Sequence, residues 1–170
     1  RLDGVTGVQT CALPISLELI KDGIDLVAVH DACRCCASDQ LVADVIAKAA
    51  ETGAAIPAAP VTATIKQVKD GRIVKTVDRA GLFEAQTPQV FDVALLRKAY
   101  ANLPNVDKSV VTDDAFLVEA IGHPVAIVES DSSNLKITRP SDLALAEAIL
   151  KSRPKPKPDG PVHPFAEAEW

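Results

Sequence analysis

The sequence predicts an α/β fold, an open sheet covered by helices with a long β-hairpin projecting from it. Three observations predict this. A continuous apolar run, Ile24 to Val29, is followed by a helical pattern and then a second apolar run, Ala54 to Ala59, which is the order of a βαβ unit with a parallel sheet. Alternating segments flank Asp70-Gly71, a strong hairpin signal. The first apolar run stops at Asp31, with Arg34 three residues on, and the carboxyl ends of strands in such sheets are where ligands collect.

The elements follow in order. Leu17 to Asp22 reads as the end of a helix, and Ile24 to Val29 as a buried strand. Ser38 and Asp39 open a helix with an apolar face of Leu41, Val42, Val45, Ile46 and Ala49, closed by Thr52-Gly53. Val61 to Asp78 is the hairpin. With Asp70-Gly71 as its turn, Lys69 faces Arg72 and Thr62 faces Arg79, so Thr64 and Arg79 become near neighbours. Such a ribbon has little core of its own and is expected to pack on something, such as a second subunit.

Leu82 to Phe91 leads into a helix capped by Asp92, with Val93, Leu95, Leu96 and Tyr100 on its apolar side. Thr112 is expected to cap the next helix, which carries Asp113 and Asp114 in its first turn and ends at Gly122. Val125 to Val128 and Leu135 to Thr138 read as short strands, the second with Asn134, Lys136 and Thr138 on one face. Pro140 opens the last helix, with Leu143, Ala146 and Leu150 as its core stripe and Leu145 and Ile149 widening it.

Composition bounds the function. The chain has 170 residues, 48% of them apolar, enough for one sizeable core and too few for a second full domain. Eighteen basic and 23 acidic residues without a basic stripe argue against nucleic acid as a partner. No run is apolar and long enough to cross a bilayer and no signal-peptide pattern opens the chain, so a cytoplasmic protein is expected. Cys33, Cys35 and Cys36 crowd one loop and suit reduced thiols. A zinc site including His30 lacks a second ligand pair.

Two segments stand apart. The chain starts with Arg1 and contains no methionine, and Val5 to Ser16 resembles the translation of a sequencing-library adapter, so residues 1–16 are read as non-native and the chain as a fragment. From Ser152 on, five of the 12 prolines fall in the last 19 residues, which excludes helix and central strand from the 152–170 tail.

Several motifs then match one family in order and spacing. They are His-Asp-Ala-Cys-Arg at 30–34, Thr-Ile-Lys at 64–66, Thr-Val-Asp-Arg-Ala-Gly-Leu at 76–82, Gln-Thr-Pro-Gln-Val-Phe at 86–91, Val-Thr-Asp-Asp-Ala at 111–115, and the run from Leu135 to Glu147. Together they resemble 2-C-methyl-D-erythritol 4-phosphate cytidylyltransferase of the non-mevalonate isoprenoid pathway, over residues 17–151. The resemblance implies an incomplete Rossmann-like nucleotidyltransferase sheet with a hairpin dimerisation arm at about 61–80. It also implies a magnesium-dependent homodimer that joins methylerythritol phosphate to CTP with release of pyrophosphate, chemistry in which positioning and charge neutralisation do most of the catalysis.

By that resemblance Asp31 lies at the metal and ribose. Lys136 and Arg79 hold the attacking phosphate, Arg79 arriving with Thr64 from the arm of the other subunit. Arg34, Thr87, Thr112 and Thr138 are further substrate positions. Each residue also has a plainer reading: Asp31 and Arg34 as a local ion pair, Thr64 and Arg79 as an exposed cross-strand pair, Thr112 as a cap, Lys136 as a solvated lysine.

The chain departs from the family pattern in three ways. The glycine-rich loop that cradles CTP is not present, which predicts that the fragment is inactive and poorly soluble. Cys35 stands where a proline is usual, and Ala63 where an acid is usual. Two other functions stay open: a cytidylyltransferase for another polyol phosphate such as ribitol 5-phosphate, and a non-catalytic dimerisation module.

Overall fold

A computed structural model describes residues 17–154. The non-native reading of residues 1–16 and most of the Pro/Lys tail lie outside the described residues. Residues 17 and 18 are helical. The elements that follow are β1 (Leu26–Val29), α1 (Asp39–Thr52), β2 (Ala54–Pro60), β3 (Ile65–Lys69), β4 (Arg72–Val77), β5 (Phe83–Ala85) and β6 (Gln89–Asp92). After them come α2 (Val93–Ala101), a short 3-10 turn at Leu103–Asn105, α3 (Asp114–Ala120), β7 (Ala126–Glu129) and α4 (Pro140–Ser152).

The β1–α1–β2 unit forms as the sequence predicts. Ser38 accepts a hydrogen bond from the Leu41 amide and Gly53 ends α1 with φ 82°, a left-handed conformation that suits glycine. The two strands are not neighbours, however. β6 lies between them, antiparallel to both, so that Val27 pairs with Phe91 and Ala54 with the same Phe91. The expected parallel sheet is therefore mixed, and its parallel pair is β2 with β7. β5 and β6 run one after the other along β2, joined through Gln86, whose amide donates to the Pro57 carbonyl.

Alternation along β2 explains why it is buried on both faces. Ala54 and Ile56 enter one core with Phe91, Leu96, Leu117 and Val118, beneath α2 and α3. Ala55 points the other way and meets Val45, Ala49 and Val90 beneath α1. Burying small alanines on both faces lets helices approach the sheet closely from either side.

β3 and β4 form a separate two-stranded sheet. Its turn is at Asp70-Gly71, both with positive φ, and Lys69 faces Arg72 as predicted. The register then shifts by one between Gln67 and Val68, so Val74 is an extra residue on β4 and Ile65 pairs with Val77. The paired ladder ends there, which corrects the expected pairing of Thr62 opposite Arg79. The Arg79 guanidinium nonetheless donates to the Thr62 carbonyl.

Three further expectations are corrected. Asp113, not Thr112, caps α3, its carboxylate accepting from the Phe116 amide at 3.0 Å. A carboxylate one residue nearer the helix outcompetes the hydroxyl. Leu135 to Thr138 is not a strand; it is attached by one backbone bond, from the Ile137 amide to the Cys33 carbonyl at 2.9 Å. In α4 only Ala146 is buried, while Leu143, Leu145 and Leu150 are exposed. Periodicity identified the helix but not the surface it packs on.

Candidate functional site

β1 delivers His30 and Asp31 to the carboxyl end of the sheet, where the chain turns so that the Arg34 amide donates to the Asp31 carbonyl at 2.9 Å. The Asp31 amide donates to Thr87 Oγ1 at 3.0 Å. Thr87 Oγ1 lies 2.9 Å from His30 Nδ1, so one hydroxyl holds both ends of the His-Asp dipeptide.

Three charges meet at this point. Arg34 Nε is 3.3 Å and Lys136 Nζ 3.0 Å from the same oxygen, Asp31 Oδ2. Arg34 is also tied to the Asn134 carbonyl, Nη1 to O at 2.7 Å. The Arg34 side chain is 11% exposed against 41% for Lys136, which decides their roles. Arg34 is committed to the scaffold, and Lys136 is the cation a ligand can reach. Within this trio two cations face one carboxylate, and the exposed ammonium has the sign that receives a phosphate.

Asn134 organises the loop beneath. It is 2% exposed, and its Nδ2 donates to Gln86 Oε1 at 2.9 Å and to the Thr87 carbonyl at 3.0 Å. Gln86 in turn donates to the Asp131 carbonyl. A second buried amide, Gln89, donates to Asp113 Oδ2 at 2.9 Å and accepts from the Ala115 amide, fixing the amino end of α3 against β6.

Asp114, the first residue of α3, accepts from the Tyr100 hydroxyl. Burial holds its carboxyl above the ordinary range, with the negative charges of Asp113 and Asp31 acting in the same direction and the Tyr100 bond against it. Burial first, and then Asp114, push the Tyr100 hydroxyl well above its ordinary value.

The structure thus brings Asp31, Arg34, Thr87 and Lys136 together. Thr138 follows two residues after Lys136, its hydroxyl and amide both donating to Asp142 Oδ2 at the start of α4. Thr112 is exposed, one residue ahead of the α3 cap. Arg79 and Thr64 sit on or beside the hairpin, and among the described contacts none joins either to the Asp31 cluster. The local ion pair of Asp31 and Arg34 exists as well, one of several bonds that hold the loop.

Sequence reasoning passed over His30, Gln86, Gln89, Asn134 and Asp114 as parts of this site. For Gln86 and Gln89 the signal was the Gln-Thr-Pro-Gln motif, polar residues set beside an apolar Val-Phe run. A cleft of about 210 Å³ that also touches Asn134 is lined by Asp44, Glu129 and Asp131. Those carboxylates repel phosphate, which leaves the Lys136 side for an anion.

Among the described residues no three His, Cys, Asp or Glu side chains cluster as a metal cage, and no helix is long and apolar enough to cross a membrane. The donor chemistry still fits magnesium. That ion is commonly held by one or two carboxylates together with substrate phosphates, and both cations on Asp31 fall on Oδ2, which leaves Oδ1 for it.

Comparison with known proteins gives the family. The family model of 2-C-methyl-D-erythritol 4-phosphate cytidylyltransferase, IspD, matches residues 6–152, reaching into the segment set apart above. The cytidylyltransferase of Rhodopirellula baltica is 51% identical over 127 residues, covering 74% of this chain and 50% of that protein. The one from Bacillus licheniformis is 44% identical over 128 residues, covering 75% and 55%. The crystal structure of the Thermus thermophilus enzyme superposes with a TM-score of 0.75 at 39% identity, covering 84% of this chain and 69% of that one. The chain spans about half the length of the curated relatives it matches. On its motifs, its sheet and these matches, the chain belongs to the IspD family of 2-C-methyl-D-erythritol 4-phosphate cytidylyltransferases.

Proposed function

We propose that the protein of which this chain forms part transfers a cytidylyl group from CTP to 2-C-methyl-D-erythritol 4-phosphate in isoprenoid biosynthesis. The observation that carries the reading is the reachable Lys136 ammonium, held 3.0 Å from Asp31 at the carboxyl end of β1. In this reading Lys136 receives the attacking phosphate, whose oxygen forms a bond to the α-phosphorus of CTP as pyrophosphate leaves. Asp31 lies beside the ribose, and Arg34 and Thr87 keep the loop in place for it. Thr112 and Thr138 line the substrate. Magnesium, held through Asp31, neutralises phosphate charge when bound.

The second cation for that phosphate is Arg79, with Thr64, from the arm of a second copy. The arm's composition supports a homodimer. Val68, Ile73 and Val74 are each more than half exposed on a ribbon that has almost no core of its own. We further propose a soluble cytoplasmic enzyme, with neither nucleic acid nor membrane as a partner.

The test is pyrophosphate release from CTP with methylerythritol phosphate, beside ribitol 5-phosphate, for the 170-residue chain and for the protein completed from the reading frame upstream of Leu17. The completed protein is expected to turn over with methylerythritol phosphate. The 170-residue chain is expected to stay at the no-enzyme blank, because it has no glycine-rich triphosphate loop. Preference of the completed protein for ribitol 5-phosphate, or no turnover with either, would overturn the reading.

A further inference from the structure

Cys33, Cys35 and Cys36 lie in the loop between Asp31 and α1, and none is in a disulfide. Cys35 is exposed, whereas Cys36 is 1% exposed, and their sulfurs are 3.9 Å apart. Cys36 is the better anchored. Its thiol faces the Ala146 carbonyl of α4 at 3.7 Å, and its own carbonyl accepts from Arg153 just beyond that helix. The residue before the pair is Arg34, which carries the ion pair to Asp31. A thiol open to solvent therefore touches a sheltered one, next to the arginine that orders the site.

We propose that Cys35 and Cys36 are an oxidisable vicinal dithiol, a modification site for peroxide that acts on the Arg34 loop. Attack begins at Cys35, because it is exposed to peroxide, whereas burial shelters Cys36 and raises its thiol, making it the slower of the two to meet the oxidant. The Cys35 thiolate attacks hydrogen peroxide: an S–O bond forms, the O–O bond breaks, and hydroxide leaves and is protonated to water. The Cys36 sulfur then attacks the Cys35 sulfenic acid, forming S–S, breaking S–O and releasing a second water. Two thiols are oxidised and one peroxide is reduced to two waters.

The bond requires the loop to move. The sulfurs must close from 3.9 Å to about 2.05 Å. Adjacent α-carbons are also about 3.8 Å apart, below the separation disulfides ordinarily span. The resulting bond is strained and readily reduced, the behaviour of a reversible sensor rather than a structural staple. Drawing Cys36 toward Cys35 pulls its thiol from the Ala146 carbonyl and displaces the peptide next to Arg34.

The experiment uses the 170-residue chain with Cys11→Ser and Cys33→Ser, so that only the pair remains. It is treated with hydrogen peroxide, quenched with iodoacetamide in denaturant, and mapped by mass spectrometry. An intramolecular link between Cys35 and Cys36, reversed by dithiothreitol, is expected. Backbone amide exchange at residues 32–37 is expected to speed up by about tenfold on oxidation and to recover on reduction. Cys35→Ser, at an exposed position, should remove both effects, and phenylarsine oxide should bind the reduced parent one to one but not this variant. The proposal is overturned if Cys35 proceeds to sulfinic acid or to a link between chains while Cys36 remains alkylatable. It is equally overturned if the link forms without any change in exchange.

Discussion

Lys136 and Asp31 meet at 3.0 Å, a lysine from a loop beside α4 against an acid at the end of β1. The lysine is 41% exposed, so the pair contributes at most about 1 kcal/mol to stability. In the proposed function its value is positional: the carboxylate fixes the ammonium that is to receive the phosphate. Lys136→Ala is therefore expected to leave the denaturant midpoint nearly unchanged and to weaken methylerythritol phosphate binding by about tenfold, ~1.4 kcal/mol. Calorimetric titration beside urea unfolding checks both halves. Equal losses in the two would mean that the lysine is structural.

Asn134→Ala should behave in the opposite way. The substitution leaves Gln86 Oε1 and the Thr87 carbonyl without their donor in a buried setting. A cost of about 2 kcal/mol or more is expected, read as a lower midpoint in urea. The Arg34 bond is to the Asn134 backbone carbonyl and is retained.

Gly53→Ala tests the end of α1. Gly53 has φ 82°, and a Cβ there would lie 3.3 Å from both Cε1 and Nε2 of His123. Left-handed strain alone costs roughly 1–2 kcal/mol for a residue with a Cβ, and the His123 ring would have to shift in addition. Thermal unfolding of Gly53→Ala in the parent and in a His123→Ala background separates the two contributions: the loss should be smaller in the His123→Ala background by the steric part.

Asp114→Asn should change how stability depends on pH. The folded state holds this carboxyl above its ordinary value, so Asp114 favours folding when protonated and that contribution is lost as pH rises through the raised value. The asparagine variant carries no such loss. It should match the parent below the ordinary carboxylate range and exceed it at neutral pH, with the difference growing between those limits. Urea midpoints of the two proteins across the range from acid to neutral pH check this, and a difference that does not vary with pH would refute it.

What could be read in the sequence was local. Ser38, Gly53 and Asp92 announce helix ends through their own side chains or lack of one, and Asp70-Gly71 announces a turn through its backbone freedom. Asp31 stood out because a charge ended an apolar run. The insertion of β6 between β1 and β2 was not legible, because no periodicity in Gln89–Asp92 records which distant edges it pairs with. The Val74 bulge and the one-residue choice between Thr112 and Asp113 turn on equally small competitions.

Asn134 was hidden for a related reason. In sequence it belongs to a polar alternation with Lys136 and Thr138, which suggests water. Its burial depends on Gln86, 48 residues away, supplying an acceptor. The leucines of α4 show the converse, since a good apolar stripe says nothing about whether another surface reaches it.

The place of β6 has a consequence for assembly. β1, α1 and β2 precede β6 in the chain, and among the described strands β1 pairs with Gln89–Asp92 alone. That pairing closes a loop that contains α1, β2 and the whole hairpin, and closing so long a loop is slow. Until β6 docks, Leu26–Val29 lacks its described partner, so substitutions that delay that docking should lower the yield of folded protein.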